Sequence, residues 1–504
     1  MQISTLTTAA LLLAGTALAS APTPDILALK DGRIITDRAL SQEDDFAVIH
    51  YENGEVRVPM RLVETLIVEG EEWQPTTDEE KVMYAEGKVP YEGKWTTIAK
   101  RDKAIAKRIK AQVKAVEADL EHSTWGKRGR DESANFMWDY TIPEHVKEGF
   151  VSRCESYYQQ FCKDWKVKRD KTKGKMHINF YNNANEFRKI SGAGGGALAY
   201  FLLIGDYDLN LFYDRVDPEL TEQVLYHELS HYLQKLINEQ FDYPHWPGEG
   251  VAEYYGGALW NAKAKKLDIG LIQSGRLAAV KNDISLGQYM ALRQTVLVAQ
   301  FEDYSWGWTL VHFFMNTKHK KGFIKYMKGL ANDKKVKREL GGFQLRRVTP
   351  ETSLEYLKVC LKLDTEEDVD DLEKEWHDYV DTELQLSGVR GLEKAAVNAF
   401  RRGKRIRAKR LFGEALDAGS QDAPTHMRYA QLVARTDGSR AVELLRKAVE
   451  LDPMTAQYHY QLGKLLKRTG DEQEGKEMIL LAKEMNPDVD ANEIDFSDFE
   501  EEAE

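Results

Sequence analysis

The segment His227-Glu228-Leu229-Ser230-His231 constrains this chain more than any other. Its two histidines face the same way only if the segment is helical, because positions i and i+4 on a helix are neighbours about 5–6 Å apart. In that setting both imidazoles can hold one metal ion. Glu228 is turned about 100° round the helix, so it can reach a water beside the metal instead of the metal itself. A second segment, Pro247-Gly248-Glu249-Gly250-Val251-Ala252-Glu253-Tyr254, adds carboxylates. Glu249 follows His231 by 18 positions, and Glu253 comes four residues later, one helical turn on. Pro247 and the glycines beside it suit a turn that opens a second helix. Two histidines and one carboxylate on zinc leave a fourth position open, where water becomes a nucleophile near neutral pH. Alone, the histidines read equally well as polar-face residues of an amphipathic helix. Glu249 weighs against that reading. His245, within Tyr243-Pro244-His245-Trp246-Pro247, reads as a structural residue of a rigid loop.

With 504 residues, 42 % of them hydrophobic, the chain has material for several folded domains. Its net charge of −12 is uneven: the segment from Asp488 onward holds nine acidic residues and no basic one, so −9 of the −12 sits there and −3 elsewhere. That distribution offers no basic footprint for nucleic acid, and 488–504 reads as an acidic, disordered tail. Residues 1–19 read as a secretory signal, with an apolar core from Ala9 to Leu18 and a small-x-small ending at Ala17-Leu18-Ala19. An exported protein (periplasmic, envelope or secreted) is therefore expected. No later segment approaches about 18 uninterrupted apolar residues, so no transmembrane segment is expected after signal removal. Cys154 and Cys162 are eight residues apart on a predicted helix, about 12 Å along its axis, too far for a disulfide. Free thiols are the simplest expectation for both and for Cys360.

The expected organisation is a multidomain α+β protein. Residues 22–70 carry short apolar runs between the hairpin signals Asp31-Gly32 and Asn53-Gly54, which predicts a small SH3-like β module. Residues 71–130 form a charged helical linker, with a helix from Thr96 to Glu121. Residues 131–386 carry the chemistry. There a helix runs from Pro143 to Trp165, and strands cover Met176–Phe180, Ala197–Leu203 and Leu209–Tyr213. A further helix starts at Pro218 with Asp217 as its cap. It runs to Asn238 and buries Leu225, Leu229, Leu233 and Leu236. In residues 388–487, Pro453 and Pro487 stand 34 apart, each behind a similar helical pattern (Ala441, Leu445, Ala448; Gly475, Ile479, Ala482). That is the tetratricopeptide period. With a weaker unit around Ala396, Ala408, Phe412 and Ala415, the block predicts an all-α solenoid able to hold a protein partner.

The paired motifs resemble the gluzincin metallopeptidases, and the Pro-Gly-Glu-Gly-Val-Ala-Glu-Tyr-Tyr run is most similar to peptidase MA-like domains of exported bacterial proteins. The resemblance covers roughly 140–385 and is specific around 227–255. It implies a thermolysin-like α+β catalytic domain with His227, His231 and Glu249 on Zn²⁺. It further implies Glu228 as general base and Glu253 as the carboxylate behind a ligand histidine. Such enzymes also place a tyrosine near the carbonyl oxygen. Tyr304 is the position chosen, with Tyr289 and His312 as alternatives. They bind substrate backbone along an edge strand upstream of the metal helix, which makes Gly194, Gly195 and Gly196 candidate peptide contacts; a plain hairpin turn is the competing reading of that run. The related aminopeptidases carry Gly-Ala-Met-Glu-Asn where this chain has Gly-Ala-Gly-Gly-Gly, without the glutamate, which argues against aminopeptidase action. The expected function is zinc-dependent hydrolysis of peptide bonds. The alternative is an envelope scaffold that binds partners through its repeats and keeps a structural or inactive zinc domain. A hydrolase of another amide shares the same chemistry.

Overall fold

The computed structural model describes residues 25–492 except 31–32, 37, 69–74, 169–173, 195–196, 203–207, 216–217, 262, 298–303 and 387. The expected signal, nearly all of the acidic tail, Asp217, Gly195 and Gly196 lie outside the described residues. The fold is mixed α/β, with small sheets near the N-terminus and a helical C-terminal part. It forms two compact units, one from residues 25–120 together with 433–490 and the other from 121–432.

In the first unit, β1 (Ile26–Leu29), β2 (Ile34–Ile35) and β6 (Val63–Ile67) form one antiparallel sheet in the order β2-β1-β6. A second antiparallel sheet is built from β3 (Ala39–Glu43), β4 (Phe46–Tyr51) and β5 (Gly54–Pro59). The unbroken apolar run of β1 has a cause, since both of its faces are covered. Leu27 and Leu29 enter a core with Ile49, Val56 and Val58. Ile26 and Ala28 enter another with Tyr91 and Ile105. Tyr51 pairs with Gly54, so the β4–β5 turn is Glu52-Asn53, one residue earlier than the Asn53-Gly54 signal suggests. Then follow α1 (Asp78–Ala85), opened by a Thr77/Glu80 capping box, the hairpin β7 (Lys88–Tyr91) and β8 (Lys94–Thr97), and α2 (Ile98–Glu121).

The second unit is built on a five-stranded sheet in the order β12-β13-β11-β10-β9. Its strands are β9 (Gly129–Glu132), β10 (Phe136–Tyr140), β11 (Met176–Tyr181), β12 (Ala199–Phe201) and β13 (Asp208–Phe212). The central three are parallel, joined through α3 (Glu144–Trp165) and α4 (Ala184–Ser191), while both edge strands are antiparallel. In register, Trp138 sits beside Ile178 and Ile178 beside Leu209. With Phe150, Tyr157, Phe161 and Trp165 of α3 they form the main core. Behind β13 come α5 (Pro218–Lys235) and α6 (His245–Gly256). Leu225, Leu229 and Leu233 are fully buried. The helix stops at Lys235, short of Asn238, because Leu236 and Ile237 donate to the carbonyls of Leu233 and Gln234 and tighten the last turn. Beyond lie α7 (Ser274–Ser285), α8 (Leu292–Leu297), α9 (Tyr304–Asn316) and α10 (Lys320–Asn332). A short hairpin of β16 (Glu339–Leu340) and β17 (Arg346–Arg347) follows the two-stranded β14 (Leu259–Asn261) and β15 (Lys266–Asp268). The unit closes with α11 (Pro350–Leu361), α12 (Glu366–Thr382), α13 (Gly388–Arg401), α14 (Arg405–Asp417) and α15 (Ala423–Val433). All three cysteines are free thiols.

The last helices, α16 (Gly438–Leu451), α17 (Ala456–Thr469) and α18 (Glu472–Met485), belong with the N-terminal sheets. The helical block 388–487 is thus shared between the two units. Gly463 and Gly475 let α17 and α18 touch backbone to backbone, since a Cβ on either would lie 2.7 Å from the other's carbonyl oxygen. Leu481 of α18 is fully buried among the side chains of β1, β4 and β5. Glu484 accepts hydrogen bonds from the Glu52 and Asn53 amides at the β4–β5 turn, 3.1 and 3.2 Å, and from Arg38 at 3.1 Å. Those bonds account for the position of the turn. Among the described residues no helix is long and apolar enough to cross a membrane.

Candidate metal centre

The expected helix carries His227 and His231 on one face, with ring centroids 5.1 Å apart. Glu249 comes from α6, and one donor atom from each of the three residues lies within 4.8 Å of the others. His227 Nε2 is 3.3 Å from Glu249 Oε2, and His231 Nε2 is 3.6 Å from Glu249 Oε1. Glu249 Oε2 is buried without an aligned hydrogen-bond donor. A buried carboxylate oxygen left in this way beside two imidazole nitrogens suits a divalent cation, and two His with one Glu is a zinc donor set. The electrostatics agree. Burial works to neutralise both groups. Even so, the Glu249 and Glu253 carboxylates hold the His227 imidazole well above its ordinary pKa, and His231 and His227 hold Glu249 below the usual carboxylate range. A cation bound there takes over the part played by those protons.

Packing explains why α6 delivers Glu249 to that point. Pro244 caps the helix, so Pro247 and Gly248 lie inside its first turn instead of in a turn before it. Proline is tolerated there because the first amides of a helix have no intrahelical partner. Gly250 serves close approach: a Cβ would lie 2.6 Å from Val311 Cγ2 and 2.8 Å from the Gly307 carbonyl of α9. Gln234, one turn beyond Ser230 on α5 and buried, donates to the Gly248 carbonyl at 2.9 Å and ties the two helices together. Ser230 is bonded to Tyr157 of α3 and donates to the Tyr226 carbonyl, which holds the metal helix against the core.

The other nitrogen of His227, Nδ1, is 3.1 Å from Glu253 Oε1. Glu253, only 4 % exposed, is gripped by Arg276 of α7 through both carboxylate oxygens, with Nε to Oε2 at 2.8 Å. Burial opposes its charge, but Arg276 and His227 hold the carboxyl far below its usual range. Tyr304, the first residue of α9, lies near His227, with ring centroids 6.4 Å apart. Burial, and after it the Glu249 carboxylate, pushes its hydroxyl above the ordinary pKa, so it remains a donor. The alternatives stand elsewhere: Tyr289 donates to Asp381, and His312 is buried between Tyr379 and the Gly270 carbonyl, its pKa lowered to about 4 by burial.

Glu228 and His231 line a cleft of about 640 Å³ with Phe201, His245, Glu249 and Val296. Phe201 ends β12, the antiparallel edge strand of the sheet. Gly194 is not among the lining residues and stands in open space before that strand. Three residues at the centre escaped the sequence. Arg276 and Gln234 gave no signal, because each acts through a contact made only in three dimensions. His245, read as structural, packs edge-on against Tyr304 at 4.9 Å and faces the cleft. A second carboxylate group, Asp131, Glu144 and Glu148, already surrounds the buried Lys147 ammonium at 2.6–2.7 Å. In comparisons with known proteins, no family model and no curated relative matches the chain.

Proposed function

We propose that this protein is an exported zinc peptidase of gluzincin type, with an SH3-like β module and tetratricopeptide-type helical repeats. The observation that carries the reading is the convergence of His227, His231 and Glu249 beside a cleft that Glu228 also lines. Bound there, zinc supplies the Lewis acid that polarises the scissile carbonyl and makes a water nucleophilic at neutral pH. The Glu228 carboxylate takes a proton from the attacking water and hands it to the leaving amine nitrogen. Tyr304, kept protonated by its surroundings, donates a hydrogen bond to the carbonyl oxygen as negative charge builds on it. Glu253 and Arg276 fix the ring of His227 and keep its Nε2 turned toward the ligand set. The edge strand β12 offers backbone groups to an extended peptide, and the apolar part of the cleft receives its side chains. The helical repeats then serve to hold a protein substrate or partner.

Zinc titration by calorimetry tests the ligand set. The parent takes up one equivalent, His231→Ala and Glu249→Ala bind at least roughly 100-fold more weakly, and Glu228→Gln binds as the parent does. Equal zinc affinity in the parent and Glu249→Ala would remove Glu249 from the set.

A further inference from the structure

The β16–β17 hairpin has features that the metal centre does not use. Leu340 is 71 % exposed and Phe343 73 % exposed, a high value for large apolar side chains. Both belong to the tip region around Gly341 and Gly342. Phe343 and Gln344 both hold positive φ, 53° and 59°, a region that side chains other than glycine rarely occupy. The base of the hairpin is fixed. The Arg346 amide donates to the Gln240 carbonyl at 2.7 Å, and the Asp242 amide donates to the Arg346 carbonyl at 2.8 Å. Arg338 donates to the carbonyls of Leu330, Gly329 and Asp333. A secured base therefore presents two uncovered apolar side chains on a projecting turn.

The hairpin and the loop that leads into it carry exposed cations. Lys334, Lys335, Lys337 and Arg346 are exposed, and none of them forms an ion pair among the described residues, whereas Arg347 pairs with Glu339 at 3.1 Å. Apolar side chains on an exposed hairpin, with Arg346 opposite Leu340 and exposed lysines in the loop leading into it, match a layer of anionic headgroups over hydrocarbon. A protein partner fits less well: two side chains make too small an apolar area for a stable interface, and lysine is depleted from interface cores. We propose that this hairpin docks the protein peripherally on an anionic lipid surface, with Leu340 and Phe343 entering the acyl boundary. Glu339, Arg347 and Val348 also line the cleft, so docking sets the cleft mouth beside the bilayer.

Cosedimentation of the full chain with two kinds of vesicle tests this, one of phosphatidylcholine alone and one of phosphatidylcholine mixed with phosphatidylglycerol. The chain is expected on the mixed vesicles, less so at high salt, where the surface attraction is screened. A Leu340→Ser, Phe343→Ser double variant partitions roughly tenfold less and keeps the parent's thermal melt. A Phe343→Trp reporter shifts its emission to the blue on the mixed vesicles. Three results overturn the proposal. The first is equal or absent sedimentation with both vesicles. The second is binding with unshifted emission, which assigns adsorption to charge alone. In the third, the double variant binds vesicles fully but cleaves peptides poorly, which makes the hairpin part of the peptide site.

Discussion

At the scale of single residues, the centre depends on groups two contacts away from the ligand atoms. Arg276 touches no proposed ligand, yet it holds Glu253, and Glu253 faces His227 Nδ1. Arg276→Met is therefore expected to weaken zinc binding by roughly 10–100-fold, measured by competition with a chelator. Affinity equal to the parent's would mean that Glu253 keeps its place unaided. Lys147 supports the fold in another way. Its buried ammonium meets Asp131, Glu144 and Glu148, and it holds the Asp131 carboxyl below the usual range. A depressed carboxyl contributes stability that is present above its ordinary pKa and lost as pH falls through the folded value. Lys147→Met should thus lower stability at neutral pH by no more than about 1 kcal/mol, because its three carboxylate partners are each more than a third exposed and water screens them. The deficit should shrink below the ordinary carboxylate range, and denaturant melts across pH follow it. A deficit independent of pH would place the effect in packing instead. The motif His227 to His231 was legible because its geometry is local, one turn of one helix. Gln234 and Arg276 were not, because nothing along the chain marks which distant side chain will close on a carboxylate.

At the scale of elements, periodic segments read well, strands included: the strand expected over Met176–Phe180 forms as Met176–Tyr181, and Leu209–Tyr213 as Asp208–Phe212. The helix predicted from Pro143 to Trp165 forms as Glu144–Trp165. The strand expected over Ala197–Leu203 is described only as Ala199–Phe201. Periodicity also said nothing about what each helix packs against. The repeat expected over 388–487 gave no sign that α18 buries Leu481 in the core of the N-terminal sheets. Leu481→Ala should destabilise that unit by about 2–5 kcal/mol, the cost of a cavity in a packed core. Chemical denaturation followed by hydrogen exchange in the N-terminal strands measures it. An unchanged midpoint would mean that the strands close their core without the helix.

At the scale of the whole molecule, the fold divides its labour. The 121–432 unit carries the sheet, the two helices of the candidate centre and the cleft, while the other unit brings residues 25–120 together with 433–490. The charge total of −12 was legible only as an average, because most of it sits in the tail and the larger part of the chain is close to neutral. Local basic features, such as the lysines that precede the β16–β17 hairpin, vanish in that sum. The central claim concerns chemistry, and a peptide-library digest read by mass spectrometry tests it most directly. The zinc-loaded parent is compared with Glu228→Gln at equal metal content. Cleavage by the parent alone is the predicted result, and the cut positions show whether it acts internally or from an end. Cleavage by neither protein, or equal cleavage by both, would contradict the account.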